Sequence, residues 1–110
     1  MKIQLYKTPS GRSPVEDFIK GLSNKDQGRF SEVFDGVLKH GFDCPRVKFR
    51  HLTGKLWEIK FKGEGGGYRI AYFLVEKDWM VWLHAFKKTT QKTPKNDLDL
   101  AEKRMSEVLS

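Results

Sequence analysis

The chain has 110 residues and a formal charge of +7, with 21 lysines and arginines against 14 aspartates and glutamates. That length suits one hydrophobic core and is short for two, so residues 1–110 are expected to form one domain whose partner is acidic or anionic. Cys44 is the single cysteine, which excludes an internal disulfide; with no apolar run of membrane-span or signal-peptide length, a cytoplasmic protein without membrane contact is expected.

Ile3 to Tyr6 alternate apolar and polar, as a short strand does. The segment TPSGRSPVED then leads into a helix: Ser13 can cap it, Pro14 suits its first position and Glu16 completes a capping box. Val15, Phe18, Ile19 and Leu22 share one helical face. Ser23 or Asn24 starts a second helix, on which Phe30, Val33, Phe34, Val37 and Leu38 form an apolar stripe that stops near Gly41. Phe42 to Lys55, punctuated by Pro45 and Gly54, reads as loop.

Three strands follow. In the first, Trp57, Ile59 and Phe61 alternate with Glu58, Lys60 and Lys62, which predicts one buried and one charged face. GEGGG makes a hairpin connection. Tyr68 to Val75 is apolar on both faces and should be central, and Glu76-Lys77-Asp78 turns the chain into a strand from Trp79 to Phe86. Thr93-Pro94 reads as a cap and first turn, followed by an amphipathic helix carrying Leu98, Ala101, Met105 and Val108. The order β-α-α-β-β-β-α predicts an α+β fold: a mostly antiparallel sheet with an N-terminal helical hairpin and a C-terminal helix on one side.

The charge inside the strands is the chemical clue. Lys60 and Lys62 share a strand face, Arg69 opens the next strand, and Lys87 and Lys88 end the last one. Neighbouring strands lie about 4.8 Å apart, so basic residues on adjacent strands can grip one phosphate. The alternative is a solvated face for Lys60 and Lys62, with Arg69 in a salt bridge to Glu58. His84 lies within its strand and is either a half-buried histidine or an acid–base group. Gln91 and Lys92 stand in the loop beyond, where they either contact a bound anion or simply solvate the helix start. Thr93 reads as a cap. His40, His51, His84 and Cys44 lack metal-ligand spacing, so neither a metal nor another cofactor is expected. GEGGG precedes a strand rather than a helix and so differs from a dinucleotide fingerprint. The three tryptophans read as core.

Taken together, SPVEDFI, HLTGKLWEIKF, GGYRIAYF and WLHAFKKTTQKTP resemble the RelE/ParE superfamily of toxins from type II toxin–antitoxin systems, closest to the HigB-like, phage-derived Gp49-like branch. The resemblance covers nearly the whole chain. It implies a RelE-like fold and a metal-independent endoribonuclease that cuts messenger RNA on translating ribosomes and arrests growth. It also implies a helix-turn-helix, HigA-like antitoxin through which operator DNA is bound. The family's strand arginine falls on Arg69, the preceding basic position on Lys60, where relatives often carry Arg, and the basic strand end on Lys87 and Lys88. On this reading Lys60, Arg69 and Lys88 are catalytic with His84 in reserve, and Lys62, Lys87, Gln91 and Lys92 hold RNA. A ParE-like inhibitor of DNA gyrase on the same fold, or a non-catalytic phage-derived module that binds RNA or protein, are the alternatives.

Overall fold

A computed structural model describes residues 1–110, running β1 (Lys2–Leu5), α1 (Pro14–Lys20), α2 (Asn24–His40), a 3-10 turn (Gly41–Asp43), β2 (Lys48–Thr53), β3 (Leu56–Gly63), β4 (Gly66–Glu76), β5 (Trp79–Lys87) and α3 (Lys95–Leu109). The fold is α+β, with one five-stranded sheet in the order β1-β5-β4-β3-β2. All neighbours are antiparallel except β1, which runs parallel to β5. The doubly apolar strand, β4, is central as expected. No helix is long and apolar enough to cross a membrane.

The helix starts follow their capping chemistry. Ser13 Oγ accepts from the Glu16 amide at 3.4 Å, with Pro14 in the first turn, and Ser23 Oγ accepts from the Asp26 amide at 3.2 Å. At α3 the expectation fails. Pro94 occupies the cap position without a side-chain bond, and the Thr93 hydroxyl turns instead to the sheet, donating to Glu58 Oε1 at 3.0 Å.

Three further expectations are corrected. The stretch read as loop contains β2. Its apolar content is slight, Phe49 and Leu52 being only partly buried, so pairing with β3 makes it a strand rather than its own hydrophobicity. The helices do not share one side of the sheet. Val15, Phe30, Val33 and Val37 of the hairpin pack on Ile59, Phe61, Tyr68, Ile70 and Trp82, whereas Ala101, Leu98, Met105 and Val108 of α3 cover Leu56, Ala71, Phe73, Val81 and Leu83 on the opposite face. A central strand apolar on both sides requires both covers. The simple alternation of β3 also breaks. Glu58 is fully buried beneath the α3 side, while Trp57 is 37 % exposed, edge-on to His51 at 5.0 Å, so the tryptophans are not all core.

The tip of the β3–β4 hairpin is tied to the start of α2. Buried Asp26 accepts from the Glu64 amide at 2.6 Å, the Gly65 amide at 2.8 Å and the Tyr68 hydroxyl. A side chain at position 65 would meet this carboxylate, since a Cβ there lies 2.9 Å from Asp26 Oδ2. The Tyr68 hydrogen bond, followed by those from the two amides, holds the Asp26 carboxyl below the usual carboxylate range, against the opposing effect of burial. A lowered folded-state pKa contributes stability that is present above the unfolded value of about 3.9 and lost as pH falls through the lower folded value. Asp26→Asn is therefore expected to lower the melting temperature at pH 7 by more than about 5 °C and to flatten the loss of stability below pH 4. Hydrogen exchange at the Glu64 and Gly65 amides should accelerate in the same variant. Unchanged exchange there would show that the tip needs no anchor.

All three tyrosines titrate high. Burial and then the Asp26 hydrogen bond push Tyr68 up to about 12. Burial raises Tyr72, and the hydrogen bond to Glu107 raises Tyr6. A raised pKa leaves stability intact below the unfolded value of about 10 and removes it as pH climbs towards the folded one. Tyrosinate absorbance of the folded protein is expected to stay flat through pH 10 and to rise only with alkaline unfolding. A tyrosine ionising reversibly near pH 10 in the folded chain would contradict these hydrogen bonds and burials.

Candidate functional site

Where β2 begins at Lys48, its partner β3 continues through Phe61 and Lys62 with no strand neighbour on that edge. A cleft of about 860 Å³ opens there, lined by Arg29, Arg46, Val47, Lys48, Lys60, Phe61, Lys62, Gly67, Tyr68 and Lys88. Six of these side chains are cationic and none is acidic.

Register explains how the charges converge. Lys48 stands directly opposite Lys60, and Lys60 directly opposite Arg69, so three cations form a row across β2, β3 and β4. Directly opposed like charges destabilise a sheet. The nearest carboxylate on this face is unavailable. Glu58 accepts from Thr93 Oγ1, has Arg69 Nη1 at 3.8 Å, and has Arg50 Nη2 at 3.0 Å from Oε2, off the hydrogen-bonding direction. Lys60 is left without an ion pair. Burial, then the charges of Arg50, Arg69 and Lys88, push its ammonium below the ordinary lysine range.

Lys88 reaches the cleft because its amide bonds the Gly67 carbonyl at 2.8 Å and its stem lies over Gly67, where an added Cβ would sit 3.3 Å from it. Arg29 comes from α2. Its Nε donates to the Lys62 carbonyl at 3.0 Å and its Nη2 to the Arg46 carbonyl at 3.3 Å, joining helix, hairpin and the turn before β2. Arg46 makes that turn with a left-handed backbone, φ 65°.

Of the residues singled out from the sequence, Lys60, Lys62 and Lys88 therefore share one cleft. Lys87, Gln91 and Lys92 are exposed at the strand end and in the following loop, outside its lining. Arg69 has no exposed surface. Its Nη2 donates to the carbonyls of Thr90 at 2.8 Å and Gln91 at 2.7 Å, and its Nη1 to Thr93 Oγ1 at 3.2 Å. The salt bridge to Glu58 weighed as its alternative is present, and the guanidinium is directed at the 90–93 loop. Gln91 contributes its backbone carbonyl to that brace.

His84 lies elsewhere. Its Nε2 is 2.7 Å from Asp97 Oδ1 and its Nδ1 is 3.4 Å from Arg104 Nη1, beside a separate depression with Thr8, Ser10, Arg12 and Asp17. Burial lowers its pKa and Asp97 opposes that. Sequence reading missed Arg29, Arg46 and Lys48. The alternation Val47, Phe49 around Lys48 and the turn at Gly54 were the available signals for β2. Arg29, on the second helix, carried none.

A mostly antiparallel sheet with an N-terminal helical pair, a C-terminal helix and a cleft at its open end whose charged residues are all cationic defines a small basic protein compatible with a RelE-like fold. Residues 17–106 match the family described as Phage derived protein Gp49-like, and the chain belongs to that family, a family of RelE/HigB-like toxins. No curated protein matches the chain.

Proposed function

We propose that this protein is the toxin of a type II toxin–antitoxin pair and cuts messenger RNA on translating ribosomes without a metal, arresting growth. The observation that carries this reading is the Lys48–Lys60–Arg69 row, which is unfavourable for the sheet and lacks an acidic partner at Lys60. An anion that visits the cleft offsets that repulsion, and a phosphodiester chain supplies anions in sequence.

RNA brings its own nucleophile. The ribose 2′-OH attacks the adjacent phosphorus, the bond to the 5′ oxygen breaks, and the products are a 2′,3′-cyclic phosphate and a free 5′-OH. The protein must remove one proton, stabilise the phosphorane and return a proton to the leaving oxygen. Lys60, whose ammonium is destabilised by burial and neighbouring cations, takes the 2′-OH proton in its free-amine form. Lys88 gives a proton to the leaving oxygen, and Lys48, Lys62 and Arg46 neutralise phosphate charge. Arg69 acts through the loop it holds and is a positioning residue in this scheme. An antitoxin with a helix-turn-helix domain neutralises the toxin by laying an acidic segment over the cleft, and operator DNA is contacted through that complex.

Brief induction followed by mapping of cellular RNA 5′ ends tests the reading. New 5′-OH ends within translated regions, absent for Lys60→Gln, are expected. Intact transcripts with a rise in DNA-damage signalling would replace the ribonuclease reading with gyrase inhibition.

A further inference from the structure

We infer that Lys60 is a site of covalent acylation by acyl phosphates, the mixed anhydrides of a carboxylic acid and phosphoric acid. Two features of the cleft combine there. The first is an unpaired amine that is half-buried. Most lysines of the chain lack an ion pair, but all except Lys60 and Lys88 are exposed, and the one carboxylate near Lys60, that of Glu58, is held by Arg50, Arg69 and Thr93. The second is a set of cations arranged around that amine. Lys48 lies across one strand, Lys62 and Lys88 line the same cleft, and its volume of about 860 Å³ admits a small phosphorylated molecule.

The cleft cations bind the phosphate end of the reagent and so raise its concentration beside Lys60. Burial, then the charges of Arg50, Arg69 and Lys88, increase the fraction of Lys60 present as free amine, the form that reacts. The amine nitrogen attacks the carbonyl carbon. A C–N bond forms and the C–O bond to phosphate breaks, with its electron pair leaving on the phosphate oxygen. One amine proton passes through water to that phosphate, so the products are a neutral amide and hydrogen phosphate. No oxidant, metal or further reactant is required.

The chemical claim stands on the cleft alone. Its consequence, that acylation switches the cleft off by replacing a central cation with a neutral amide, rests on the ribonuclease reading.

The test treats the folded protein with acetyl phosphate at pH 7.5 and follows acetylation of each lysine by peptide mass spectrometry. Lys60 is expected to react initially at least about threefold faster than the exposed Lys39, Lys77 and Lys103. That lead should vanish in the urea-unfolded chain, and added inorganic phosphate should slow Lys60 selectively. A Lys60 rate at or below those of the exposed lysines, or a lead unaffected by unfolding or by phosphate, would overturn the inference. The readout contains no RNA. Selective acetylation with uncut transcripts would leave this site standing and remove the ribonuclease reading; unselective acetylation with cut transcripts would do the reverse.

Discussion

Lys60→Gln is expected to slow RNA cleavage about 10²- to 10⁴-fold, the range for loss of a general acid–base group, while leaving the fold as stable as before or more so. The two halves of this result have one cause. Lys60 lies between Lys48 and Arg69 in register and has no ion pair. Removing its charge relieves repulsion worth about 0.5 kcal/mol, or about 2–4 °C in melting temperature for a domain of this size. Glutamine keeps the stem that packs over the sheet. A residue retained for structure would behave oppositely, losing stability when neutralised. Single-turnover cleavage on programmed ribosomes and thermal unfolding of the same preparation check both halves. Wild-type cleavage, or a destabilisation above about 1 kcal/mol, would remove Lys60 from the centre of the site.

Arg69→Ala is expected to destabilise the protein by about 3–5 kcal/mol, the cost of breaking a buried ion pair by removing one partner. Typical domains have only about 5–15 kcal/mol in total, so much of the chain would unfold under mild denaturant. The substitution strips donors from the Thr90 and Gln91 carbonyls and from Thr93 Oγ1, and it leaves fully buried Glu58 with Arg50 as its only cation. Combining Arg69→Met with Glu58→Leu should restore much of the stability, since a buried pair replaced by apolar side chains of similar volume is often neutral. Cleavage should stay low in the double variant, because the loop following Lys88 has still lost its brace. Urea unfolding together with cleavage separates the possibilities. An Arg69→Ala protein as stable as wild type but inactive would mean that the guanidinium contacts phosphate directly rather than holding the loop.

Much of this architecture is local. Ser13, Pro14 and Ser23 set the helix starts, and the α2 stripe from Phe30 to Val37 selected the face that packs on the sheet. The alternation in β3 brought Lys60 and Lys62 to notice, and the doubly apolar β4 marked the centre of the sheet. Where local reading failed, the deciding interaction was remote. Thr93 has the sequence of a cap, yet its hydroxyl donates to Glu58, a buried carboxylate that needs donors. Lys48–Thr53 has too few apolar residues to announce a strand and becomes one because β3 offers an edge. The flexibility suggested by GEGGG is curtailed by Asp26, 38 residues before Glu64.

The sequence by itself determined every α-helix, four of the five strands, the central strand and the concentration of positive charge between Lys60 and Lys88, and its motifs carried the resemblance to the toxin family. The elements and the charge follow from periodicity, capping and composition, which act over a few neighbouring residues; the family rests on the resemblance of its motifs. Only the tertiary structure decided which cations share a cleft. Register aligned Lys48 with Lys60, α2 delivered Arg29, and the open edge of β3 made room beside them. It also buried Arg69 beneath the 90–93 loop and set His84 beside Asp97, because the pleat fixes the face a strand side chain takes but the segments that cover that face, and so its burial and partners, come from elsewhere in the chain.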